Sequence, residues 1–208
     1  MIYRSWQSWE QAERLLQGIV DSALLQKLGD AFAFAKGCHG DQVRPGGEPY
    51  TNHLLQVLEI LVSGAEVKDE SILIAGLLHD VVEDTPCGPS DIRDRFGDAV
   101  ADLVDWVTKP KGDVDKVGGH PRYFGNLMTA PLAAKLLKLA DRLSNVQRLD
   151  LHPDPAFQRR YYVETVANVL PLIPQGSWFE QPYMDWTRAF SYLGAGTDPA
   201  NGPCQGER

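Results

Sequence analysis

The 208-residue chain is short of cysteine, has no long apolar run and carries no excess of positive charge. Its three cysteines, Cys38, Cys87 and Cys204, are odd in number and none stands in a CxxC pair. The simple reading is a reduced chain with free thiols. Without a long apolar run no segment is expected to span a bilayer. The first ten residues lack the apolar core and small-residue cleavage site of a secretory leader, so a cytoplasmic location is expected. The net charge of −8, from 28 acidic and 20 basic side chains, is the wrong sign for nonspecific nucleic-acid binding, which works by neutralising phosphates. A small phosphorylated ligand remains compatible with it, provided a cation or a local basic group sits in the pocket. Alternating patterns of Val, Ile and Thr are also missing, which excludes strands of any length. No internal repeat and no linker between two cores is visible.

What the chain does have is helical periodicity. Apolar residues recur every three to four positions over 6–17, 20–37 and 50–63, as one face of a helix requires. Residues 69–84 are apolar almost throughout and predict a buried helix. Ser90 is a good N-cap for 91–96, and Gly97 separates that segment from 98–107. Glycines and prolines over 109–120 predict a loop. Helices are expected over 121–130, from Pro131 to about 149, over 156–172, and in a short piece over 184–193. The reading is all-α: a single helical bundle of about eight to ten helices over residues 1–173, then a C-terminal extension over 174–208. The Gly-, Pro- and polar-rich end of that extension is expected to be disordered.

The chemistry concentrates in three places. Leu77-Leu78-His79-Asp80-Val81-Val82-Glu83-Asp84-Thr85 puts four ionisable groups in an apolar helix. Burying charges costs several kcal/mol each unless something compensates, and a bound metal does so. Glu83 and Asp84 follow His79 and Asp80 by four residues, which in a continuous helix stacks a second acidic pair beside the first. Asp141 and Asn145 share a face of the long helix, and His53 falls in the first turn of another. Two histidines and two aspartates make a mixed N/O ligand set suited to Mn²⁺, Fe²⁺, Zn²⁺ or Co²⁺.

The spaced pattern His53, His79-Asp80, Asp141 resembles the H…HD…D signature of the HD phosphohydrolase superfamily. The flanking text is more specific. Residues 39–53, 75–85, 96–109 and 138–145 (KLADRLSN) resemble the hydrolase domain of the Rel/Spo family of alarmone enzymes, over about residues 25–170. The resemblance implies an HD-domain fold and a small stand-alone hydrolase without a synthetase region. The implied reaction is removal of the 3′-diphosphate of guanosine 3′,5′-bis(diphosphate), (p)ppGpp, to give GDP or GTP and pyrophosphate. It further implies one divalent metal, usually Mn²⁺, on His53, His79, Asp80 and Asp141. Glu83 and Asp84 match the catalytic acidic pair, Arg44 a basic residue that stacks on guanine, and Asn145 a nucleotide-contacting asparagine. Lys109, Lys135, Lys138 and Arg142 are further candidates for phosphate contacts.

Three positions depart from the family pattern: Pro45 replaces a second basic residue, Leu54 a proline and Ser144 a histidine. None removes a metal ligand, but Pro45 bears on nucleotide preference. The alternative is therefore an HD-type phosphohydrolase acting on NADPH, a dNTP or a nucleoside monophosphate. A small-molecule nucleotide is the expected partner, with no nucleic acid and no membrane, and self-association is left open.

Overall fold

The computed structural model describes residues 6–113 and 120–194. Among them the secondary structure is helical, apart from one isolated bridge between Val43 and Pro49. Ten helices of eight residues or more and one single-turn helix make up the bundle. They are α1 (Trp9–Leu16), α2 (Ser22–His39), α3 (Thr51–Glu59), α4 (Glu70–Leu78), the single turn α5 (Val81–Asp84), α6 (Pro89–Phe96), α7 (Asp98–Val107), α8 (Pro121–Thr129), α9 (Leu132–Val146), α10 (Pro155–Glu164) and α11 (Glu180–Ala189). No helix among the described residues is long and apolar enough to cross a membrane.

Helix α4 is the axis of the fold. Asp69 caps it by accepting from the Ile72 amide at 3.0 Å, and every residue from Ile72 to Leu78 is buried. A helix apolar on all sides must be surrounded, and α2, α3, α7 and α9 pack around this one. Each fully buried Leu or Ile there contributes roughly 1.5–3 kcal/mol. Two glycines permit close approaches. A Cβ on Gly76 of α4 would lie 2.8 Å from Leu61, and one on Gly64 would lie 2.6 Å from the Trp178 ring. Helix α11 is tied to α9 by two hydrogen bonds. Tyr183 donates its hydroxyl to Leu139 O and Trp186 its indole N–H to Val146 O, at 2.8 and 2.9 Å. Residues 195–208, where disorder was expected, lie outside the described residues.

Two sequence expectations need correction. The helix expected over 69–84 is interrupted: α4 ends at Leu78, His79 and Asp80 form a turn, and α5 restarts at Val81. Asp80 has φ −99° and ψ −3°, which departs from helical values and swings the two residues out of the stack. The second correction concerns the thiols. Cys38 and Cys87 form a disulfide, with Cα atoms 6.2 Å apart, where free thiols were expected. It joins the end of α2 to the loop that follows α5.

Candidate metal centre and active site

Three helices carry the four expected ligands to one point. His53 enters from the first turn of α3, His79 and Asp80 from the turn that ends α4, and Asp141 from the middle of α9. One ligand atom from each residue lies within 4.8 Å of all the others. His53 Nε2 is 3.1 Å from His79 Nε2, 3.3 Å from Asp80 Oδ2 and 3.4 Å from Asp141 Oδ1. His79 Nε2 is 2.9 Å from Asp80 Oδ2 and 3.5 Å from Asp141 Oδ1. A metal with bonds of about 2.1 Å has ligand–ligand edges of about 3.0 Å when octahedral and about 3.4 Å when tetrahedral. The five spacings, 2.9–3.5 Å, lie within about 0.1 Å of that range, so these residues fit a divalent transition ion.

The electrostatics also favour positive charge at this point. Burial opposes a charge on His79, but Asp80 and Asp141 outweigh it and raise the imidazole to about 10. Burial likewise opposes ionisation of the two aspartates. The facing imidazoles, and for Asp141 first of all Lys138, nevertheless hold both carboxyls well below their ordinary value. Groups outside the four fix their orientation, as is usual for metal ligands. Lys138 Nζ donates to Asp141 Oδ2 at 2.7 Å and Asn145 Nδ2 to Asp141 Oδ1 at 2.7 Å. Tyr50 OH reaches Asp80 Oδ2 at 2.5 Å and Asp84 Oδ2 at 2.9 Å.

The break between α4 and α5 separates the second acidic pair. Asp84 stays beside the centre, one tyrosine hydroxyl from Asp80. Burial, followed by the Asp80 charge, pushes its carboxyl up from the ordinary value. The Tyr50 hydroxyl thus stands within hydrogen-bond distance of both carboxylates and ties Asp84 to Asp80. Glu83 turns toward Lys109 instead, accepting from its backbone N–H at 3.0 Å and from Nζ at 2.6 Å.

A cleft of about 380 Å³ opens beside the ligands, lined by Arg44, Tyr50, Gln56, Ser144, Asn145, Phe157 and Tyr161 among others. That volume suits a small-molecule ligand. Arg44 and Asn145, 101 residues apart, meet in its wall, where Arg44 Nη2 donates to Asn145 Oδ1 at 2.8 Å. The Val43–Pro49 bridge and the Arg44 N–H to Glu48 O bond, at 2.9 Å, shape the loop that presents Arg44. His152, Phe157 and Tyr161 form a stacked aromatic run, with centroids 4.0 and 5.0 Å apart.

The lysine and arginine candidates for phosphate are committed elsewhere. Lys109 pairs with Glu83, Lys138 with Asp141, and Arg142 donates to Glu164 at 2.6 Å. Lys135 donates to Met128 O. Tyr50 and Gln56 were missed as site residues. The signal for Gln56 was a lone amide in the apolar run Leu54-Leu55-Gln56-Val57-Leu58, where burial demands partners. Tyr50 precedes His53 by three residues but carries no sequence mark of its role.

The comparisons with known proteins bear on the family of the chain. The family described as HD domain matches residues 31–115. The bifunctional (p)ppGpp synthase/hydrolase SpoT of Escherichia coli (strain K12) is 36% identical over 171 residues, covering 79% of this chain and 24% of that protein. The guanosine-3′,5′-bis(diphosphate) 3′-pyrophosphohydrolase MESH1 of Drosophila melanogaster is 38% identical over 128 residues, covering 61% of this chain and 71% of that one. A solved structure of a metazoan orthologue of SpoT, described as hydrolysing ppGpp, superposes with a TM-score of 0.72 at 32% identity. It covers 78% of this chain and 94% of that one. The chain spans about a quarter of the length of the bacterial curated relatives it matches.

Proposed function

This chain belongs to the HD-domain family that includes SpoT and MESH1, and from that premise we propose that it is a metal-dependent (p)ppGpp 3′-pyrophosphohydrolase acting in the cytoplasm. The observation that carries the reading is the convergence of His53, His79, Asp80 and Asp141 at metal-like spacings beside a nucleotide-sized cleft walled by Arg44 and Asn145.

The four residues would hold one divalent ion, Mn²⁺ in our reading. Such an ion supplies polarisation of a phosphoryl oxygen and acidification of water. The residues around it do the rest. Arg44 presents a planar guanidinium to the purine, and Asn145 offers an amide to the nucleotide. Water attacks the phosphorus attached to the 3′ oxygen. The new bond joins the water oxygen to phosphorus, and the bond that breaks is P–O3′. Pyrophosphate leaves, and the nucleoside keeps its 5′-phosphates and regains a 3′-hydroxyl. Glu83 and Asp84 are the groups that take the proton from water and return one to O3′. Asp84, raised and hydrogen-bonded through Tyr50, stands nearer the ligands. Glu83, held by Lys109, needs that clamp to loosen before it exchanges a proton.

The test offers the purified chain, with Mn²⁺, ppGpp, NADPH, dNTPs and nucleoside monophosphates, and separates the products by chromatography. Pyrophosphate released from ppGpp, and lost on chelation or in Asp80→Ala, is the expected result. Turnover of another nucleotide with ppGpp intact would overturn the substrate assignment. Glu83→Gln is expected to retain the metal and lose turnover.

A further inference from the structure

The two imidazoles of the centre are oriented from behind in different ways. His79 Nδ1 lies 2.9 Å from Gly76 O. A carbonyl only accepts, so Nδ1 carries a hydrogen and Nε2 is the nitrogen that faces the other candidate ligands. His53 has no carbonyl behind it. Its Nδ1 lies 2.9 Å from Ser144 Oγ, a hydroxyl that can either donate or accept.

The direction of that hydrogen bond is settled one step further back. Ser144 Oγ lies 2.9 Å from Gln56 Oε1. The same oxygen is approached by Arg44 Nη1 at 3.4 Å and Gln147 Nε2 at 3.3 Å. A guanidinium only donates, which fixes the Gln56 atom facing it as oxygen rather than nitrogen. Ser144 must then give its single hydrogen to Gln56. The lone pair left on Oγ faces His53 and accepts from Nδ1–H. Ser144 is 2% and Gln56 4% exposed, so little of either side chain is open to the cleft they help line.

We infer that Ser144 and Gln56 are positioning residues that hold His53 as its Nδ1–H tautomer and so turn the Nε2 lone pair toward the metal. The inference rests on the metal-centre reading above. Arg44, which faces the cleft, stands at the far end of the same chain of hydrogen bonds. The wall that receives the nucleotide and the orientation of a ligand therefore share a residue.

Two measurements on the full chain test this. The first is long-range ¹H–¹⁵N correlation of the metal-free protein, which distinguishes imidazole tautomers. The wild type is expected to show His53 with its hydrogen on Nδ1, and Ser144→Ala to show that preference reduced. The second is calorimetric titration of the chelator-stripped protein with Mn²⁺. Loss of an orienting partner behind a ligand typically costs about tenfold or more in metal affinity. That loss is expected in Ser144→Ala and Gln56→Met, with most of it restored in Ser144→Thr and Gln56→Glu, which retain the hydroxyl and the acceptor. A wild-type His53 with its hydrogen on Nε2 would overturn the inference whether or not any variant folds. So would a Ser144→Ala protein with wild-type affinity and tautomer. A wild type that takes up no metal would instead overturn the metal-centre reading, and the tautomer spectrum would still decide the present one.

Discussion

Lys138 and Asp141 form a buried ion pair at the back of the metal centre, and replacing the lysine by methionine tests the electrostatic argument directly. The two charges are 2.7 Å apart, with side chains only 5% and 7% exposed. At an effective dielectric of about 20 their attraction is about 6 kcal/mol, from which the cost of desolvating both must be subtracted. Removing one partner of such a pair typically costs about 3–5 kcal/mol; Asn145 and the two imidazoles still face Asp141, which sets the loss toward the lower end of that range. Methionine fills the space of the lysine stem and keeps contact with the Tyr123 ring, over which the ammonium sits at 5.2 Å. The loss therefore reports charge rather than a cavity. In metal-free protein, urea unfolding of Lys138→Met is expected to show a deficit of about 3–5 kcal/mol. Bound Mn²⁺ adds positive charge beside Asp141, so it should stabilise the variant more than the wild type.

The pH dependence follows from the directions of the shifts. Asp141 is held well below its ordinary value, so its share of the stability is present above the usual carboxylate range and is lost as pH falls through the lowered value. Lys138 is raised well above its ordinary value, so its share is full below the usual lysine range and is lost as pH rises through the raised value. Between about pH 5 and 9 both are charged, and the deficit of the variant should be flat. Wild-type stability itself slopes in that window. His79 is raised to about 10, and its share is full below the ordinary histidine value and lost on the way up to about pH 10. A deficit below about 1 kcal/mol, the scale of an exposed pair, would refute the reasoning, as would equal stabilisation of both proteins by Mn²⁺.

The remaining predictions concern the scaffold around the centre. Asp113 accepts from the Arg122 and Tyr123 amides at 3.4 and 2.8 Å, at the open end of α8. Asp113→Ala should cost about 1–2 kcal/mol in urea unfolding. Gly64→Ala drives a Cβ to 2.6 Å from the Trp178 ring. It should cost about 1–3 kcal/mol and change the tryptophan emission; an unchanged melting curve would exclude the contact. The Cys38–Cys87 bond closes a separation of 49 residues, for which chain entropy gives at most about 4 kcal/mol. Reduction should lower the melting temperature, and thiol titration of the denatured, unreduced protein should find two fewer thiols than after reduction.

The four residues that converge at the candidate metal centre were legible because each sits in a short, dense stretch of sequence. His79-Asp80 interrupts an apolar helix, and Asp141 lies in KLADRLSN, so the cost of burying them signals function before any contact is known. The groups that orient the ligands left no such mark. Ser144 meets His53 across 91 residues and Gln56 across 88, and a serine or glutamine in a helix has many bland uses. The break at His79–Asp80 was hidden for a related reason. Apolar periodicity continues from α4 through Val81 and Val82, and hydropathy does not register a change in ψ at one residue. The Cys38–Cys87 bond depends on α2 and α5 packing together, which spacing alone does not show.

The acidic balance of the chain takes a specific form at the site. Lys109, Lys138 and Arg142 looked available for phosphates, since exposed lysines and arginines are the common case. The structure sets each at 2.6–2.7 Å from a carboxylate, so their charges are largely spent within the fold. Under the proposed reading, a nucleotide bearing two diphosphates would then be attracted by something else near the cleft. Asp80 and Asp141, both ionised, concentrate negative charge where His53 and His79 also converge, and negative charge draws a cation rather than an anion. On the proposed function, the acidity of these residues would promote phosphate binding at one remove, by retaining an ion that receives it. Net charge argued against nonspecific nucleic-acid binding but has no bearing on a pocket of this kind. The relevant quantity is the local balance of Asp80, Asp141, Lys138 and His79, not the total of −8.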